Sequence, residues 1–263
     1  MRRIEDLEPV RRLLLEREPA TRSIYNAVFG CAGERAAWVR VDDPADPRAV
    51  ICRSRALLLW ARNRAAGRRL LDSIPRHWRP QFRATPSWAC DHLARTRRIL
   101  WTTPCFGYSL VDPARLPAEP GHRVGRLTPD DTAAVTALWP YARSRRASPL
   151  IRRLIERWPS AAIRRDGRLV GWSLLHADGS MGFLHVLKEY RHRGFARALG
   201  IALARRVLAC GLRPFVFIET GNRPSLRLTA GLGFERVGRY TWFGAGPRTR
   251  RRSGPPRAAR AAR

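Results

Sequence analysis

Lysine is almost absent from this sequence of 263 residues. Lys188 is the only one, so arginine supplies 50 of the 51 basic residues, and only 21 acidic residues oppose them. The formal net charge of +30 at pH 7 would attract nucleic acid and, equally, small ligands that carry phosphates. A chain rich in arginine, alanine, glycine and proline is also typical of GC-rich coding sequence, so composition alone does not make the charge functional.

Cysteine pairs, metal-binding spacings and long apolar runs are missing as well. The five cysteines are odd in number and none forms a C-x-x-C pair, so neither a disulfide framework nor a zinc site is indicated. We expect buried thiols, with Cys210 on an apolar helix stripe. The start of the chain lacks the apolar segment of a signal peptide, and no run has membrane-spanning length. A soluble cytoplasmic protein with no metal and no membrane partner is therefore expected.

What the sequence does contain is a strand, a basic turn and a helix in direct succession. Met181 to Leu187 is an apolar run of strand length, Lys188 to Arg193 is the turn, and Gly194 opens a helical pattern that stops at Gly211. The first turn of a helix has unpaired backbone N–H groups, and a glycine there lets an anion approach closely. Phe215 to Thr220 reads as the next strand, so the segment is a βαβ unit.

Two motifs in this region resemble those of the GNAT superfamily of N-acyltransferases. The hexapeptide RHRGFA at 191–196 is similar to the loop that binds the pyrophosphate of acyl-CoA, and Asn222-x-x-Ser225 followed by GLGF at 231–234 is similar to the superfamily's next motif. The first motif alone is weak, because such hexapeptides arise by chance in a chain of this composition. The second motif at the correct distance makes the resemblance specific.

The resemblance implies an α/β (α+β) GNAT fold, in which the Met181 strand of a mixed sheet splays from the Phe215 strand. The pantetheine arm of acetyl-CoA or another acyl-CoA, the implied co-substrate, would lie between these strands. The residues implied to bind it are Leu184, His185 and Val186 on the strand, Arg191, His192, Arg193, Gly194, Phe195 and Ala196 at the diphosphate, and Asn222 and Ser225 at the far end of the arm.

The rest of the chain is similar to the glycine N-acyltransferase family, a GNAT branch with a degenerate domain before the catalytic one. In the first half the likeness rests on SIYNAVF at 23–29, WVRVDDP at 38–44 and Trp78. In the second half, WPS at 158–160, GWS at 171–173, Asp178-Gly179 and EYR at 189–191 fall in the family's order. We therefore expect three parts: a degenerate GNAT-like domain at 1–115, a catalytic domain at 116–246 and a disordered arginine-rich tail at 247–263.

Local patterns predict the elements within these parts. The first domain is expected to have helices at 7–16, 65–74 and 87–97 and strands at 36–41 and 49–53, while Leu57 to Trp60 is either a strand or a helix start. Proline-rich Val111 to Pro120 is expected to be a semi-rigid linker. The second domain is expected to begin with a strand at 123–127, helices at 128–140 and 149–158, and two strands joined by the Asp166-Gly167 turn.

A general base is the one side-chain role that acyl transfer to an amine requires. Here the sequence departs from the pattern, because the family's acidic residue falls on Ser180 and the superfamily's frequent tyrosine acid falls on Thr229. Two replacement candidates remain. Glu219 ends the second parallel strand and is either a base or an arginine-paired carboxylate, and Asp178 is either a base or the turn partner of Gly179.

The expected function is transfer of an acyl group, acetyl first, from acyl-CoA to a small amine or amino acid such as glycine by direct attack on the thioester. Two alternatives stay open: an enzyme that acylates a protein or peptide amine, and an inactive, basic, nucleic-acid-associated protein on a GNAT scaffold. Trp172, Tyr240 and Trp242 either line the acceptor pocket or belong to the core. His176 is within reach of the site, whereas the side chain of His185 alternates into the packing.

Overall fold

The structure is a computed structural model that describes residues 6–29, 36–119, 121–138 and 147–248. Helices in these ranges are α1 Glu8–Leu15, α2 Arg22–Phe29, α3 Arg64–Asp72, α4 Ser87–Ala94, α5 Thr132–Ala137, α6 Ala147–Arg157, α7 Phe195–Ala209 and α8 Arg223–Gly231. Strands are β1 Trp38–Val41, β2 Ala49–Arg53, β3 Leu57–Ala61, β4 Gln81–Pro86, β5 Arg98–Ser109, β6 Ser160–Arg165, β7 Arg168–Leu175, β8 Met181–Val186, β9 Phe215–Glu219 and β10 Glu235–Gly246.

The strands form two sheets. Seven strands lie in the order β1-β2-β3-β4-β10-β5-β9, and three lie in the order β6-β7-β8. All pairings are antiparallel except β3 with β4, which is parallel, so the larger sheet is mixed. The expected α+β fold with a mixed sheet is confirmed.

The two halves of the chain exchange strands within the larger sheet. Strand β5 comes from the first half and lies between β9 and β10, while β10 comes from the second half and lies between β4 and β5. The exchange is anchored by Phe82 and Phe243, which stack with ring centres 4.4 Å apart and are fully buried. Sequence periodicity does not predict it, because pairing partners far apart in the chain leave no local pattern.

Three apolar cores result. One packs α3 and α4 on one face of the first-half strands, a second packs α1 and α2 on the opposite face, and the third packs α6 and α7 against the β6-β7-β8 sheet. Helix α7 lies in the third core, where Leu199, Leu203 and Val207 are buried as their spacing predicts. Arg206 fastens this helix by donating hydrogen bonds to the carbonyls of Val124, Gly125 and Ser160 at 2.5–2.8 Å.

Several local expectations were wrong. Cys210 is exposed, because α7 ends at Ala209 and the cysteine is its C-cap. The expected strand at 123–127 is reduced to one bridge, from Gly125 to Ala162. The segment expected to be a semi-rigid linker without an element of its own contains a short 3-10 helix at Pro113–Arg115, and Arg115 packs closely against Gly233. Cys31, the end of the helix expected at 128–140 and residues 249–263 of the tail lie outside the described residues.

Candidate functional site

The site lies where the two sheets meet edge to edge. Strand β8 is the edge of the three-stranded sheet and β9 is the edge of the seven-stranded sheet. The two strands come within 8 Å of each other at some positions, but no ladder joins them in the described part of the chain. The expected splay of the Met181 and Phe215 strands is therefore present, and it opens a cleft between two strand edges.

A β-bulge deforms β8 at this cleft. Trp172 pairs with His185 and Leu174 with Gly182, so Phe183 and Leu184 together oppose one residue of β7. Phe183 adopts φ +50°, a left-handed backbone conformation that costs energy for a bulky residue. A bulge of this kind re-aims backbone groups next to a binding site. The alternation of apolar residues from 181 to 187 contains no signal of it.

The predicted anion-binding loop has the expected geometry. Gly194 is the N-cap of α7 with φ +78°, and His192 has φ +60°. The first helical hydrogen bond runs from the N–H of Ala198 to the carbonyl of Gly194 at 3.0 Å. The N–H groups of residues 195–197 thus precede the helical ladder, which is the arrangement that binds phosphate at helix N-termini.

Side chains from outside the motif surround this loop. His122 packs edge-on against Phe195, with ring centres 4.9 Å apart, and a Cβ on Gly194 would lie 3.2 Å from its Nε2 atom. The guanidinium of Arg165 lies 5.1 Å from the centre of the Phe195 ring. Together with Arg193 over Tyr190, these side chains form a cradle around the loop, to which the two arginines add positive charge. Neither His122 nor Arg165 was among the sequence candidates, because both are distant in the chain.

Other residues predicted to bind acyl-CoA also make contacts within the protein. The Nε of Arg191 donates a hydrogen bond to the carbonyl of Val186 at 3.1 Å and so fixes the end of β8. The Asn222 side chain caps α8 by accepting a hydrogen bond from the N–H of Ser225 at 3.2 Å. His185 stacks on Trp172, with ring centres 4.8 Å apart. Burial, and then the charge of Arg191, lowers the pKa of His185.

The two candidate bases differ in their surroundings. Glu219 is exposed at the end of β9, opposite Cys105 of β5. Burial first, and then the charge of Glu219, raises the pKa of the Cys105 thiol to about 12. The carboxylate of Asp178 accepts hydrogen bonds from the hydroxyls of Ser23 and Ser180 and from the N–H of Ser180 at 2.6–3.2 Å. Asp178 thus ties the β7–β8 turn to α2 of the first half.

A histidine of the second half lies close enough to an arginine of the first half for their charges to interact. The ring of His176 lies 4.3 Å from that of Phe183 in the β8 bulge. Burial lowers the pKa of His176 to about 4, while the charge of Asp178 raises it and that of Arg83 on β4 lowers it. His176 is therefore neutral at physiological pH, and Arg83 is close enough to act on it electrostatically.

The three aromatic residues considered for the acceptor pocket differ in their exposure to solvent. Trp172 is a core residue with 2% exposure, and Tyr240 is 7% exposed with its hydroxyl bonded to the carbonyl of Ala20 at 3.3 Å. Only Trp242 is partly exposed. Thr229, where the superfamily's tyrosine would stand, is buried in α8.

The described residues contain no group of three or more histidine, cysteine, aspartate or glutamate side chains able to hold a metal ion. No helix among them combines the length and the apolar character that crossing a membrane requires.

Known proteins share the fold of this chain. A family model described as FR47-like protein matches residues 162–243. A Drosophila protein of 17% identity superimposes with a TM-score of 0.70, over 94% of this chain and 99% of that one. A GNAT-family acetyltransferase from Colwellia psychrerythraea, 14% identical, gives a TM-score of 0.55 over 92% of this chain and 98% of the other. The chain has the GNAT acetyltransferase fold.

Other matching structures have the same fold and do not identify an acceptor for this chain. A GCN5-related N-acetyltransferase-like protein from Streptococcus suis, 14% identical, gives a TM-score of 0.53, with 90% of this chain and 98% of that one covered. No curated protein matches the sequence. The region that the FR47-like model matches, residues 162–243, contains the cleft, the bulge and the candidate anion-binding loop.

Proposed function

We propose that the protein is an acyl-CoA-dependent N-acyltransferase that moves an acetyl group to the amine of a small acceptor. The observation that carries the proposal is the splayed pair β8 and β9 ending at a left-handed Gly194 on a helix N-terminus. The diphosphate of acyl-CoA fits that cradle, and the open edge of β8 suits an extended pantetheine arm, which pairs with backbone as a strand does.

In this proposal the β8 bulge positions the thioester. A neutral amine attacks the thioester carbonyl, the new C–N bond forms, and the C–S bond breaks to release the thiolate of coenzyme A. Backbone N–H groups of β8 beside the carbonyl stabilise the developing oxyanion. A leaving thiolate whose conjugate acid has a pKa of about 8.5 needs little acid assistance, so a tyrosine at position 229 is dispensable.

Glu219 is the better of the two candidates for the proton acceptor. It is exposed at the end of β9, whereas Asp178 holds the β7–β8 turn against α2 and is needed there for the structure. Glu219 would take the proton of the amine directly or through one water molecule. Glu219→Gln is then expected to lower kcat about 10²- to 10⁴-fold while leaving binding of acyl-CoA unchanged.

The test of the proposal is thermal unfolding with acetyl-CoA, with a longer acyl-CoA, and with ADP as a phosphate control. A ligand at a hundred times its Kd stabilises by about 2.7 kcal/mol. Gly194→Glu is expected to remove the shift. Gly211→Glu is the matched control, because Gly211 ends the same helix with φ +70° and has open space around it. If ADP equals the thioesters, or if Gly211→Glu also removes the shift, the loop is not an acyl-CoA site.

Activity and binding assays distinguish the proposed function from its two alternatives. Acetylation of peptides but not of free amino acids would assign the enzyme to protein or peptide amines. DNA affinity that falls steeply with salt, with no response to coenzyme A, would favour a basic nucleic-acid-associated protein.

A further inference from the structure

We infer that the imidazole of His176 accepts a hydrogen bond from the attacking amine of the acceptor and holds that amine at the β8 bulge. This inference rests on the proposed function and deepens it, because it assigns the contact that orients the nucleophile, while Glu219 remains the proton acceptor. Three observations support it: the ring contacts the bulge, it has no hydrogen-bond partner in the described part of the chain, and it is neutral.

The ring of His176 fills the space beside β8 that Gly182 leaves free because it has no side chain. A Cβ on Gly182 would collide with the Nε2 atom of this ring. The ring centre lies 4.3 Å from that of Phe183, the next residue, whose left-handed backbone belongs to the bulge. His176 is therefore in contact with the segment at which the proposed mechanism places the thioester.

The backbone of the β7–β8 turn holds the ring in this place. The N–H of His176 donates a hydrogen bond to the carbonyl of Ser180 at 2.8 Å, and the carbonyl of His176 accepts one from the N–H of Gly179 at 2.9 Å. Both backbone groups of His176 are thus paired within the turn. A side chain on a fixed backbone can position a substrate with little loss of conformational freedom.

The ring lies on the face of the three-stranded sheet that points away from α7. Gly171 of β7 packs against Leu199 of α7. Because side chains alternate along a strand, Leu174 points to the opposite face, and so does its direct partner Gly182. An amine that attacks a thioester beside β8 therefore meets α7 on one face of the sheet and the ring of His176 on the other.

The imidazole is available to a ligand. It has no hydrogen-bond partner among the described residues, its side chain is partly exposed, and Leu184 in the bulge is 36% exposed. Burial lowers the pKa of His176 to about 4, since desolvation disfavours the imidazolium. The ring is thus neutral at physiological pH, and one nitrogen of a neutral imidazole accepts a hydrogen bond.

This hydrogen bond orients the nucleophile. A neutral amine that gives one N–H to His176 keeps its lone pair free for the thioester carbonyl. As the C–N bond forms, the nitrogen becomes positively charged and its hydrogen bond to the imidazole strengthens. The proton then leaves to Glu219, directly or through water, and the C–S bond breaks to release the thiolate. His176 is unchanged at the end of the cycle.

Two substitutions at His176 separate hydrogen bonding from packing. His176→Gln keeps a hydrogen-bond acceptor, whereas His176→Phe keeps an aromatic ring beside Phe183 and has no acceptor. Release of coenzyme A thiol from acetyl-CoA is measured with glycine, ethanolamine, benzylamine and a short peptide as acceptors. His176→Phe is expected to lower kcat about 10- to 10²-fold with the Kd of acetyl-CoA unchanged, and His176→Gln is expected to lose less. A role in packing alone predicts the reverse order.

Gly182→Ala displaces the ring without changing the imidazole. The new Cβ must push His176 aside, so this variant is expected to lose about as much kcat as His176→Phe. In a His176→Ala background the same substitution should cost little, because no ring is left to move. Gly125→Ala is the matched control, since the nearest atom to a Cβ there is a carbonyl oxygen at 3.9 Å. Melting temperatures show whether each variant is folded.

The outcomes separate the two proposals. If the wild type acetylates an amine but His176→Phe is at least as active as His176→Gln, the assignment of His176 is wrong and the acyltransferase proposal stands. The same holds if Gly182→Ala costs as much in the His176→Ala background as in the wild type, because the substitution then acts through the bulge. If the wild type acetylates none of the four acceptors, the proposed function fails and this inference fails with it.

Discussion

Truncation of Phe243 tests the strand exchange that joins the two halves. Phe243 comes from the last strand of the second half but is fully buried in the first-half core, stacked on Phe82. Replacing a buried phenylalanine by alanine costs about 3–5 kcal/mol, since apolar contacts are lost and a cavity remains. For a chain of this size each kcal/mol lowers the melting temperature by about 2–4 °C, so Phe243→Ala should lower it by roughly 6–20 °C.

The assay is calorimetry or circular dichroism melting, with Phe106→Ala as control. Phe106 lies on the other exchanged strand, β5, but is only half-buried, between Arg236 and Arg239. Its truncation should cost about 1 kcal/mol. Because β10 belongs to both halves, Phe243→Ala should shift one common transition. A melt in which one half unfolds early while the other keeps the wild-type midpoint would refute the exchange as described.

Two further predictions concern charged side chains. The pKa of His176 is about 4 in the folded protein and about 6.5 in the unfolded chain, so the unfolded chain binds the proton first as the pH falls. The free energy of unfolding should therefore decrease by up to about 3 kcal/mol between about pH 6.5 and about pH 4. Urea unfolding of wild type and His176→Gln measures this, and a difference between them that does not change with pH would contradict it. Arg206→Gln leaves three carbonyls without their donor and should lower the free energy of unfolding by about 1–3 kcal/mol. Arg205→Gln breaks a surface ion pair with Glu119 and should lower it by at most about 1 kcal/mol. Equal losses for the two variants in denaturant unfolding would count against the carbonyl contacts.

The parts of the site that depend on short-range sequence were predicted. The turn at Asp166-Gly167 and the N-terminus of α7 at Gly194 need a left-handed backbone, which glycine signals directly in the sequence. The helix stripe of α7 follows from the spacing of Leu199, Leu203 and Val207. Strands β1 and β2 of the first half and β6 to β9 of the second were also predicted, because apolar runs and turn residues bound them.

The parts that depend on long-range pairing were not predicted. The β8 bulge exists because two residues oppose one across a neighbouring strand, and this is a property of the pair and not of β8 alone. His122 and Arg165 reach the Gly194 loop from elements far away in the sequence. Strands β4 and β5 were missed altogether, although the twelve residues of β5 pair with both β9 and β10.

The strand exchange brings the first half close to the candidate site, which the sequence of that half does not indicate. Because β10 pairs with β4, Trp242 lies beside Arg83, a residue 159 positions earlier in the chain. Because α2 binds the β7–β8 turn through Ser23 and Asn26, the same half also fixes the segment that holds His176. The cleft that would hold acyl-CoA is built by the second half, and the turn that leads into its β8 strand is held in place by the first.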